Sequence, residues 1–118
     1  MTEFISFAFE WLPFLLAGVW TTMTLWTLAM VLGFMVALVL VWGRMYAAAP
    51  IYWAATAYVE IFRGTPMLIQ LLFIYLGLPD LGIVLDPFSA AVIAIGLNTA
   101  AYQAEYFRGA IQSLPNGQ

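Results

Sequence analysis

"VEIFRGTPMLIQ", residues 59–70, sets Glu60 and Arg63 beside a Gly64-Thr65-Pro66 triplet at the mouth of a long apolar run. Only three of the 118 residues are basic, and all three are arginine. Pro66 lacks a backbone donor and frees carbonyls near residue 62. Away from water a freed carbonyl needs a partner, which Gln70, about a turn further on, or a neighbouring helix must supply. Gly64 adds backbone freedom. The stretch therefore predicts a bend that takes the chain from an interfacial segment into a membrane, with Glu60, Arg63, Gly64, Thr65 and Pro66 at the opening of a second span.

Composition agrees with that medium. The chain is 65% hydrophobic and 8% charged, whereas soluble domains carry about 25% charged residues. Membrane lipid is thus an expected partner. The net charge of −3 is small and dispersed, so no nucleic-acid partner is expected. Cys and His are absent, which removes thiol chemistry and the usual zinc and haem ligands. No metal, no cofactor and no catalytic residue is expected. The start, "MTEFISFAFE", is acidic where a cleavable signal peptide is basic.

Residues 11–43 carry no charge, and about 20 residues span a bilayer core. Span one is placed at about 14–43, with Pro13 in its first turn. Residues 64–79 are apolar but short, so span two is drawn from about 57 to 79, with Glu60 and Arg63 in its first two turns. "GLPDLGIVLDP" reads as a loop, with Asp80 and Asp86 solvated. Span three is drawn at about 87–111. Residues 45–62 hold Pro50 and are read as an interfacial helix feeding span two, the alternative being a span of their own. Arg44, Arg63 and Arg108 then share one face, which is cytoplasmic by the positive-inside bias. Glu3, Glu10, Asp80 and Asp86 share the other, so the N-terminus lies outside. Trp11, Trp42 and Trp53 fall near span ends, as interface anchors do.

Polar side chains in an apolar span face protein or water. Thr21, Thr22, Thr24 and Thr27, with Gly18 and Gly33, predict close packing of span one and hydroxyls bonded to backbone carbonyls, the alternative being a place on a translocation path. In span three Asn98, Tyr102 and Glu105 fall on one face, with Thr99 and Gln103 beside them. That row faces either other helices or an aqueous path, and Gln70 joins it as a candidate path residue. Glu60–Arg63 and Glu105–Arg108 are both spaced for a local salt bridge, or for binding a cytoplasmic partner.

Three longer stretches carry a family likeness. "YVEIFRGTPMLIQLLFIYLGLP" (58–79) resembles the second-span region of permease subunits of ATP-binding-cassette importers for polar amino acids. "AEYFRGAIQSLPNGQ" (104–118) resembles the start of that family's cytoplasmic coupling loop, where E-x-x-R-G-A-I-x-S-x-x-x-G-Q leads into E-A-A. "GVWTTMTLWTLAMVLG" (18–33) is similar to its first span more loosely. The resemblance implies an all-α integral membrane fold in the bacterial cytoplasmic (inner) membrane, with three transmembrane helices, the first part of a five-span core, plus a short interfacial helix. It implies an ATPase subunit, a second permease subunit (identical or related) and an extracytoplasmic amino-acid-binding protein as partners. ATPase coupling would fall to Glu105, Arg108, Gly109, Ala110, Ser113, Gly117 and Gln118, with Ile111 also on the pattern. The chain holds no phosphate-binding Gly-x-x-x-x-Gly-Lys-Ser/Thr loop, so ATP hydrolysis is assigned to the partner and the chain is not read as an enzyme. Residue 118 falls just before the expected E-A-A, so the chain is expected to be either the front part of a longer permease or a truncated product.

Two other classes remain. A small proton-coupled exporter needs four spans and a carboxylate midway along span one, and Glu10 is too near the start. A non-transport membrane scaffold predicts that changes at Arg108 or Gly109 leave uptake untouched.

Overall fold

The computed structural model describes residues 1–116, so Gly117 and Gln118 of the expected coupling pattern lie outside the described residues. Four helices follow in order: α1 (Thr2–Met45), α2 (Ala49–Gly64), α3 (Met67–Leu81) and α4 (Pro87–Gln112). The fold is all-helical, as expected.

The long helix α1 has 44 residues, about 66 Å at 1.5 Å per residue. That exceeds the roughly 30 Å hydrocarbon core. A helix start near residue 14, with Pro13 in its first turn, does not hold. The helix begins at Thr2 and Pro13 lies inside it. Phe4, Ile5, Phe7 and Phe9 continue the apolar pattern outward, and a proline inside an apolar helix is tolerated where local adjustment re-satisfies its backbone.

A three-residue turn leads into α2. Pro50 sits in its first turn, where a missing N–H costs nothing. The helix that carries residue 57 does not start there but at Ala49. Glu60 and Arg63 lie in the last turns of α2, and the apolar run after them is a separate helix inclined at 107°. The corner consists of two extended residues, Thr65 (φ −112°, ψ 141°) and Pro66 (φ −61°, ψ 138°). A proline pushes the residue before it out of the helical region, and this ends α2. The expected contribution of Gly64 is not used here: its φ is not positive, and a Cβ there would meet nothing within 4 Å.

Within α3, Phe73–Gly77 widens to π turns and Leu78–Leu81 tightens to 3-10 geometry. Gly82 closes it with φ +83°, donating to Pro79 O at 3.0 Å while Ile83 donates to Leu78 O at 3.1 Å. This is a left-handed C-terminal cap that needs glycine. Asp86 caps α4 by accepting from the Ser89 N–H at 3.1 Å. The Ser89 hydroxyl and backbone hold the Asp86 carboxyl below its usual range. The charged cap is therefore kept above the ordinary carboxylate range and lost as pH falls through the lowered value.

α1 and α4 run parallel. Leu28 shares a groove with Phe88 and Val92, Gly33 meets Gly96, and Arg44 meets Glu105. Parallel neighbours require the chain to return between them, and the bent α2–α3 pair makes that return. Among the described residues α1 alone is long and apolar enough to cross a membrane by itself, and the α2–α3 pair is so taken together. α4, with 26 residues, is long enough, but its polar row lowers its hydropathy.

Small residues set the closeness of this contact. Ala29, Gly33 and Ala37 of α1 and Gly96, Ala100, Ala101 and Ala104 of α4 are all buried. Close approach over small residues replaces the hydrophobic drive that lipid cannot supply. Val59 of α2 is fully buried in the same cluster. The threonines of α1 divide the expectation. All four hydroxyls donate to the carbonyl four residues back, at 2.7–3.1 Å. Close packing around Gly18 is not found, since a Cβ there would meet nothing within 4 Å.

The contrast between two glycines is testable. A Cβ on Gly33 would come within 2.5 Å of Thr99 Oγ1 and 2.8 Å of Gln103 Nε2. Gly33→Leu is expected to lower stability in detergent by about 1–3 kcal/mol through overpacking, while Gly18→Leu leaves it within about 0.5 kcal/mol. Thermal unfolding of the purified variants reads both.

Candidate functional site

The corner at Thr65-Pro66 interrupts the hydrogen-bond ladder of α2 beyond Ile61 and leaves the carbonyls that follow without helical donors. Those of Phe62, Arg63 and Thr65 are approached by side chains. Ile61 O accepts the Thr65 N–H at 3.1 Å and the Thr65 hydroxyl at 2.8 Å. Phe62 O accepts Gln70 Nε2 at 3.0 Å and Asn98 Nδ2 at 3.3 Å. Arg63 O lies 3.5 Å from the Tyr102 hydroxyl, and Thr65 O accepts Gln70 Nε2 at 3.2 Å. Asn98, only 7% exposed, also donates to Gln70 Oε1 at 2.9 Å. The expected alternatives for Phe62, Gln70 or a neighbouring helix, are thus both realised.

The face of α4 bearing Asn98 and Tyr102 continues to Glu105, where the charges gather. All three basic residues of the chain meet this one carboxylate. Arg44 pairs with Oε1; Arg63 and Arg108 reach Oε2 at 3.6 Å and 3.2 Å. The C-terminal ends of α1, α2 and α4 are tied at a single point. Arg63 also stands over the Tyr102 ring, 5.7 Å from its centroid, within range of a cation–π attraction.

These contacts revise the expected pairing. Glu105–Arg108 forms as its spacing suggests. Glu60–Arg63 does not: Glu60 is exposed, and Arg63 turns to Glu105. The turn places Arg63 against a carboxylate on another helix that already holds two arginines.

The expected path residues divide. Gln70, Asn98 and Tyr102 close the α2 corner. Thr99 and Gln103 lie on the α1 side, where both approach Gly33. Thr99 donates to Gly96 O at 3.2 Å, and Gln103 Nε2 is buried with no partner among the described residues. Of the five, only Gln70 lines an apolar groove of about 460 Å³ between α2, α3 and α4, shared with Phe62, Ile69, Phe73, Ile93 and Leu97. At the far end of α4, Gly109, Ala110, Ile111 and Ser113 are exposed.

Sequence reading missed two residues. Arg44 is the most buried of the arginines, its side chain 6% exposed. The signal was present: three cations on one face and a single carboxylate in the span beside them. Tyr58, whose hydroxyl donates to Leu97 O at 2.7 Å and whose ring stacks on Phe62 at 4.3 Å, left no trace beyond an aromatic in an aromatic-rich stretch.

One helix long and apolar enough to cross a membrane, a bent pair that is so taken together, and a contact over small residues are features that a membrane-embedded chain shares. Comparisons with known proteins give the class. No family model matches the chain. It is 41% identical over 106 residues to an L-cystine transport system permease protein, TcyB of Bacillus subtilis (strain 168), covering 90% of this chain and 45% of that one. It is 38% identical over 108 residues to the arginine transport system permease protein ArtQ of the same organism, covering 91% and 49%. It is 37% identical over 121 residues to the glutamine transport system permease protein GlnP of Escherichia coli (strain K12), covering 92% and 53%. A crystal structure of an amino acid ABC transporter with histidines superposes with a TM-score of 0.90 at 37% identity, over 97% of this chain and 53% of that one. In sequence and in fold the chain is homologous to amino acid ABC transporter permeases. It spans about half the length of the curated relatives it matches.

Removing the shared carboxylate tests the charge cluster. Glu105→Gln leaves three guanidiniums without a counter-charge and is expected to cost about 3 kcal/mol, the low end for breaking a buried pair. Arg44→Gln is expected to cost more than Arg63→Gln, because the Arg63 side chain is 41% exposed and exposed pairs contribute little. Unfolding titrations in detergent give all three values.

Proposed function

We propose that this chain supplies membrane-spanning helices of the permease in an ATP-binding-cassette importer that carries polar amino acids across the bacterial cytoplasmic membrane. The observation that carries this reading is the joint match in sequence and fold to amino acid permeases over more than nine-tenths of the chain. The relatives are named for cystine, arginine and glutamine, so the shared property is the amino acid class.

The orientation follows from the arginines. The ends of α1, α2 and α4 that meet at Glu105 face the cytoplasm, in keeping with the positive-inside bias, and the N-terminus is extracytoplasmic. Crossings within about 14–43, 57–79 and 87–111 then set Glu3, Glu10, Asp80 and Asp86 on the outer side. A separate ATPase subunit docks at the exposed end of α4, at Gly109, Ala110 and Ser113, with Gly117 and Gln118 continuing the pattern. Glu105 and Arg108 fix the angle at which that end leaves the membrane. A second permease subunit completes the path, and an extracytoplasmic binding protein delivers the amino acid.

Gln70 is the residue we assign to the path, since it lines the groove beside α3. Asn98 and Tyr102 position the corner that aims it, and Thr99 and Gln103 hold the contact with α1.

Gly109 offers a clean test, because a Cβ there would meet nothing within 4 Å. Gly109→Leu is expected to insert and unfold as the parent does, yet to lose ATPase capture and amino acid uptake. A misfit of about 1.4 kcal/mol at the dock gives a tenfold drop. Co-purification with the ATPase and radiolabelled uptake in cells read it. Unchanged capture and uptake would favour a non-transport scaffold.

A further inference from the structure

The charge cluster is unbalanced. Arg44, Arg63 and Arg108 bring three positive charges to the single negative charge of Glu105. No other carboxylate among the described residues corrects this. Glu3 and Glu10 lie near the opposite end of α1, Asp80 and Asp86 at the opposite end of α4, and Glu60 makes no ion pair. The donors are underused as well. Arg44 takes one oxygen of Glu105, while Arg63 and Arg108 share the other. Arg44 Nε and Arg108 Nε are buried without a partner, a state that native proteins avoid. The outer side is open, with the side chains of Arg63 and Arg108 41% and 32% exposed. Two planar forks presented on one exposed edge suit an oxyanion, phosphate above all.

The surroundings say which phosphate. An apolar groove of about 270 Å³ runs between α1 and α4, lined by Phe34, Leu38, Val41, Phe107, Ala110 and Ile111. Val41 and Ile111 each stand three residues from an arginine of the cluster. A ligand with an anionic phosphate and an attached hydrocarbon chain satisfies both features. Basic pockets between membrane helices at the cytoplasmic side hold anionic headgroups by the same physics. We infer that Arg63 and Arg108, backed by Arg44, bind the headgroup phosphate of an anionic phospholipid, with one acyl chain along the groove between α1 and α4.

Lipid retention is measured independently of uptake, so this inference and the permease reading can fail separately. The full chain is purified in detergent, exchanged with phosphatidylglycerol or with phosphatidylcholine of the same acyl chains, and examined by native mass spectrometry. Phosphatidylglycerol is expected to be retained preferentially. Arg63→Gln and Arg108→Gln are each expected to weaken retention about fivefold, with helix content unchanged by circular dichroism. Should either variant misfold, the headgroup preference of the parent protein decides alone. Equal retention of the two lipids would overturn the inference, as would folded variants that keep the preference. Release of the lipid by millimolar inorganic phosphate would also overturn it, reassigning the arginines to free phosphate. Release by a purified ATPase subunit would do so in favour of an acidic protein surface.

Discussion

A helix that stops inside an apolar medium must still find a partner for every carbonyl it abandons. That constraint organises this protein. Pro66 forces Thr65 into an extended conformation, and α2 ends there with its last carbonyls unbonded by helix. Gln70 from the next helix, Asn98 and Tyr102 from α4, and the hydroxyl of Thr65 itself meet the need. A row of polar side chains that would be costly against lipid is thereby neutralised, because its donors point at main-chain oxygen. The corner and the polar row of α4 are one feature: either alone would leave polar groups without a partner.

The charges follow a related logic. Arginine is difficult to bury, yet Arg44 is nearly so. It is tolerated because Glu105 is held beside it by the same α4 face that closes the corner. Arg63 and Arg108 converge on the same group from two further directions, so the C-terminal ends of three helices have a common fixed point. Away from that point, adhesion comes from proximity. Glycine and alanine line the α1–α4 contact, and the backbones approach closely enough at Gly33 and Gly96 that a single Cβ would collide. Large apolar side chains point outward instead: Phe14, Trp20, Met23 and Trp26 on α1, Leu68 and Phe73 on α3. Such a surface suits lipid or further membrane helices.

Much of this was legible in the sequence, for reasons that differ by residue. The bend at 64–66 could be read because proline acts locally on its own neighbour. The shared side of the three arginines could be read because membrane thickness and charge bias act on span order alone. Helix limits were less legible. A bilayer-length rule places a start near residue 14 and another near 57, but helix formation does not stop where the hydrocarbon does, and α1 and α2 both begin earlier. The pairing of Arg63 was illegible. A spacing of three favours Glu60, whereas the choice of Glu105 depends on α4 lying against α2.

Sequence by itself determined the medium, the all-helical class, the break before Pro66 and the likeness to amino acid permeases, since composition, proline geometry and local motifs act over a few residues. Tertiary structure alone decided that Asn98 and Gln70 meet on one carbonyl and that all three arginines share Glu105. Those outcomes require groups as far as 28 and 61 positions apart to touch, which local propensity cannot arrange and the packing of α4 against α1, α2 and α3 does.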